Sequence, residues 1–83
     1  MQVKEFIEEN IENMKKDLKS LIEINSVYGE DVKPFGSGPR KALEQALKLM
    51  NEKGLNTTNV DYYCGFGEVG QGDKLVGIIA HLD

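Results

Sequence analysis

The sequence predicts a mixed α/β chain: two amphipathic helices, then a β-hairpin, then a central strand. Three observations carry that prediction. Apolar residues recur three and four apart through the first half. A cluster of β-branched and aromatic residues broken by glycines follows at 55–70. The apolar run Leu75–Ala80 comes last.

In the first segment apolar residues fall at Val3, Phe6, Ile7, Ile11, Met14, Leu18, Leu21 and Ile22, at intervals of three, one, four, three, four, three and one. That spacing marks one face of a helix. Glu5, Glu8, Glu9 and Glu12 come early and Lys15, Lys16 and Lys19 late, the polarity that complements the helix macrodipole. A charged face of this kind reads as solvated. Asn25 and Ser26 end the helix, because their side chains compete for nearby backbone groups.

Residues 31–38 form a loop with Pro34, Gly36 and Gly38, and Phe35 reads as an aromatic plug beneath it. Ser37-Gly38-Pro39 starts the second helix, with Pro39 at the first helical position, where its missing donor costs nothing. Ala42, Leu43, Ala46, Leu47 and Met50 mark the buried face, and Gly54 fits a left-handed C-terminal cap. Arg40, in the first turn, is poorly placed for the dipole, so a nearby carboxylate or solvent is its expected partner.

Leu55–Tyr63 carries Thr57, Thr58, Val60, Tyr62 and Tyr63, all suited to pleated structure. Gly65–Gly70 reads as a bend and a second short strand, and residues 71–74 as a turn. Leu75–Ala80, with Val76, Ile78 and Ile79 on both faces, is expected as a central strand covered on both sides. An apolar strand with open edges pairs with whatever is available, so self-association through the strands is expected.

Composition narrows the function classes. The 83 residues suit one small domain or a piece of a larger one. A net charge of -4 gives no basic surface for nucleic acid. No apolar run nears the roughly 20 residues of a membrane span, and Met1–Val3 leads straight into acidic residues, without the basic region or apolar core expected of a signal peptide. The single cysteine, Cys64, cannot form an internal disulfide. These features together favour a cytoplasmic chain. Gly65-x-Gly67-x-x-Gly70 matches the dinucleotide fingerprint by letters, with Asp83 near the spacing of a ribose-binding acid. That fingerprint must open a helix. Here it leads into a turn and another strand, so a glycine-rich hairpin is the better reading.

His81, the only histidine, follows the apolar run, and Asp83 lies two positions on. If Leu75–Ala80 is a strand, the two side chains share a face. A carboxylate there can accept the second ring N–H of His81 and sharpen the other nitrogen as a metal ligand. The plainer alternative is a structural histidine and a turn or cap aspartate, since a zinc site needs at least three protein ligands.

Val76-Gly77-Ile78-Ile79-Ala80-His81-Leu82-Asp83 resembles the first metal-site motif of the dinuclear-zinc exopeptidases, which include carnosinases, aminoacylases and succinyl-diaminopimelate desuccinylases. The segments Leu21–Val27, Lys33–Gly36, Lys41–Leu47 and Asn59–Tyr62 are similar to the bacterial Xaa-His dipeptidase (dipeptidase V) branch, in the same order. The resemblance covers essentially the whole chain. It implies that His81 is a zinc ligand and that Asp83 is the active-site aspartate orienting it. It also implies two Zn2+ ions, a dipeptide substrate and metal-assisted amide hydrolysis. Residues 1–83 would then be the start of a catalytic domain. The other ligands, the general base and a lid-like domain would lie downstream, so the 83 residues alone are expected to be inactive and to hold zinc weakly. A related deacylase or desuccinylase, or a non-enzymatic α/β interaction module, are the alternatives.

Overall fold

The computed structural model describes residues 2–73 and 75–82. Helix α1 spans Val3–Ile22 and helix α2 Ser37–Glu52; strands β1, Asn56–Val60, and β2, Cys64–Glu68, form an antiparallel hairpin. The α/β class and the order helix, helix, hairpin are as expected from the sequence.

Helix α2 is the centre of the packing. Ala42 and Leu43, on its inner face, are the buried hydrophobic residues among those described. Both strands of the hairpin lie against it, and the glycines of β2 come closest. A Cβ on Gly65 would meet Leu43 Cδ1 at 2.9 Å and Leu47 Cδ2 at 3.0 Å; one on Gly67 would meet Met50 Sδ at 2.9 Å. These alternate glycines therefore bring the strand backbone close to the helix, which is what Gly65-x-Gly67 does in place of cradling a phosphate. No helix follows them among the described residues.

The end of α2 is a Schellman motif. Gly54 takes φ +93°, its N–H donates to Asn51 O at 3.1 Å, and Leu55 N–H donates to Met50 O at 3.1 Å. Glycine adopts that backbone without a Cβ penalty, as anticipated for Gly54. At the other end the helix begins at Ser37, so Pro39, expected as the first helical residue, lies two positions inside the observed start. It still falls in the first turn, where no intrahelical donor is needed.

The connection between the helices is held by backbone bonds. Gly29 N–H donates to Phe35 O and Gly36 N–H to Val32 O, each at 2.7 Å. Asn25 Oδ1 accepts from Val27 N–H at 3.2 Å, a local bond just past the end of α1 at Ile22. Asp31 Oδ1 accepts from Ser37 N–H at 3.1 Å and places a carboxylate at the N-terminus of α2. Hydrogen bonds from the Ser37 hydroxyl, and next from its backbone N–H, hold the Asp31 carboxyl below the usual carboxylate range. A depressed folded-state pKa adds stability above the unfolded value and loses it as pH falls through the folded one. Urea midpoints measured down through that acidic range should thus fall more steeply in the natural chain than in Asp31→Asn. Parallel slopes would remove Asp31 from the linkage.

Three expectations need correction. Tyr62 and Tyr63, strand formers by propensity, instead form the hairpin turn: Asp61 and Tyr62 take φ of 52° and 62°, and Tyr63 N–H donates to Val60 O at 2.9 Å. Asn59 Oδ1 accepts from Tyr62 N–H at 2.8 Å, so a side-chain bond holds a backbone that tyrosine propensity alone disfavours. Second, α1 does not bury its apolar face. It meets α2 only near its C-terminal end, where Lys53 Nζ pairs with Asp17 Oδ2 at 2.7 Å and Gln45 Nε2 donates to Ser20 Oγ at 3.1 Å. Val3, Phe6, Ile7, Ile11, Met14, Leu18 and Ile22 stay exposed.

The third correction concerns Leu75–Ala80. These residues join no ladder, and Leu75, Val76, Ile78 and Ile79 are each at least 90% exposed. A central strand needs neighbours for its N–H and C=O groups on both edges and cover on both faces. The described residues supply a two-stranded hairpin and one helix layer, and that layer already lies against β2. The turn before the run bends at Gly72 and Asp73; its last residue, Lys74, lies outside the described residues.

Candidate functional site

His81 lies past the apolar run, in neither helix nor strand, and is exposed. It lines a cleft of about 360 Å³ together with Tyr28, Phe35, Leu43, Tyr63 and Cys64. Four segments build this cleft: the loop before α2, α2 itself, the hairpin turn with the start of β2, and the stretch ending at Leu82. Phe35 is therefore not a buried plug. It is 38% exposed and meets Tyr63 edge-on, with ring centroids 5.5 Å apart at 89°, a geometry that the ring quadrupoles favour.

Next to the cleft, the Arg40 guanidinium sits 3.7 Å over the Tyr62 ring, and its Nε approaches Glu44 Oε1 at 3.8 Å. Arg40 thus has the carboxylate partner expected for it, along with a cation–π contact that clamps the hairpin turn to α2. Cys64 is a free, exposed thiol at the start of β2.

A second, more polar cleft of about 430 Å³ is lined by Glu23, Asn25, Asp31, Ser37 and Lys41. His81 does not line it, and its Asp31 carboxylate is engaged in capping α2.

Of the two predicted site residues, the structure places His81 at the aromatic cleft, while Asp83 lies outside the described residues. The paired geometry of imidazole and carboxylate also rested on a strand through Leu75–Ala80, which does not form here. Among the described residues no group of three or more His, Cys, Asp or Glu side chains could hold a metal. One imidazole falls short of the three protein ligands of a zinc site, so these residues do not by themselves fit the two-zinc centre that the resemblance implies. Sequence reasoning missed the aromatic wall of Phe35, Tyr62 and Tyr63. Its members come from distant segments, and only the hairpin turn brings them together.

Comparison with known proteins adds a relationship that this geometry does not carry. The chain is 40% identical over 72 residues to a Staphylococcus saprophyticus protein named "Putative dipeptidase SSP1012", a match covering 82% of this chain and 15% of that protein. It is 36% identical over 76 residues to "Putative dipeptidase YtjP" of Bacillus subtilis, covering 87% of this chain and 16% of the relative. A Staphylococcus haemolyticus protein, "Putative dipeptidase SH1171", is 36% identical over 84 residues, or 96% of this chain and 18% of its own length. No family model matches the chain, and no solved structure matches it. The chain spans less than a fifth of the length of the curated relatives it matches. Among the described residues no helix is long and apolar enough to cross a membrane. Over most of its residues, then, this chain is similar to a short stretch of proteins named as dipeptidases.

Proposed function

We propose that this chain is part of a metal-dependent dipeptidase in which His81 contributes one imidazole to the metal centre and Asp83 orients it. The observation that carries the reading is the similarity, over 82–96% of the chain, to proteins named as dipeptidases. The His-x-Asp triplet at its far end gives that similarity a chemical focus. Relatives of this length have ample sequence to provide the further ligands that a zinc site requires. What the described residues contribute is a position. His81 stands at the rim of a cleft whose wall of Phe35 and Tyr63 can seat an apolar or aromatic side chain of a dipeptide. Dipeptides of the Xaa-His type are the first substrates to try, with zinc as the first metal.

The test uses the protein expressed from the whole open reading frame that carries these residues. Dipeptide hydrolysis is measured before and after chelation, then with zinc restored. Chelation should abolish turnover and zinc should recover it. Metal-independent turnover, or no turnover of any dipeptide, would sink the proposal. Turnover of N-acyl amino acids in place of dipeptides would move the reading to a deacylase.

A further inference from the structure

We draw no further inference here: the strongest candidate, the aromatic cleft between Phe35, Tyr63 and Cys64, belongs to the site already described, and in a chain that spans less than a fifth of its relatives nothing among the described residues shows what covers its open side.

Discussion

His81→Ala in the full-length protein is expected to lower dipeptide kcat/KM by more than about 100-fold, and Asp83→Asn by about 10- to 100-fold. The grading follows from the roles proposed for them. Losing a ligand removes a bond to the metal, whereas losing its orienting carboxylate leaves the bond but frees the ring's tautomer and angle. Metal content should separate the two: reduced in His81→Ala and largely kept in Asp83→Asn. His81 is exposed and lies outside both helices and both strands, so its removal should leave the far-ultraviolet circular dichroism unchanged. Unchanged turnover in His81→Ala would contradict the proposed function, and so would equal losses of metal in the two variants.

Gly36→Ala should cost about 3 kcal/mol or more, from backbone strain and overpacking together. Gly36 takes φ 110° and ψ 167°, a region that is essentially glycine's alone. A Cβ there would also meet the Gly29 backbone, with the nitrogen at 2.7 Å and the oxygen at 2.9 Å. Neither atom belongs to a flexible side chain, so the loop itself would have to move, and with it the cap on α2. A small domain has only about 0.05–0.15 kcal/mol of stability per residue, so this loss takes a large share of the total. Gly54→Ala is the control. Its φ is +93° but nothing lies within 4 Å of the added carbon, so only the conformational cost of about 1–2 kcal/mol applies. Urea denaturation followed by tyrosine fluorescence compares the two. Equal losses would mean that the contact with Gly29 is not what makes Gly36 costly to replace.

Local signals were legible wherever the controlling interaction was local. The three-four spacing of Val3–Ile22 located α1, and the glycine after Lys53 located the end of α2 to the residue. The β-branched run at 56–60 and the glycines after it gave the hairpin. Its turn was misplaced because Tyr62 reads as a strand former. The Asn59 side chain and the Arg40 guanidinium hold it in a left-handed turn instead, and no propensity scale includes contacts of that kind. Of the candidate site, His81 could be picked out by its uniqueness and by Asp83 two positions away. The aromatic wall beside it could not, since Phe35 and Tyr63 are far apart in the chain and meet only after folding.

By itself the sequence determined which segments become helices and where they stop, that a hairpin follows, and that one histidine ends an apolar run. Each of these follows from side-chain periodicity, backbone restriction or the order of the chain. Only the tertiary structure decided which apolar faces find partners. The faces of α2 and β2 do, because Gly65 and Gly67 let them approach closely. Among the described residues the faces of α1 and Leu75–Ile79 do not, although their apolar patterns are just as strong. An apolar pattern records a demand for burial, and meeting that demand takes a second surface of the right shape, which periodicity within one segment cannot specify.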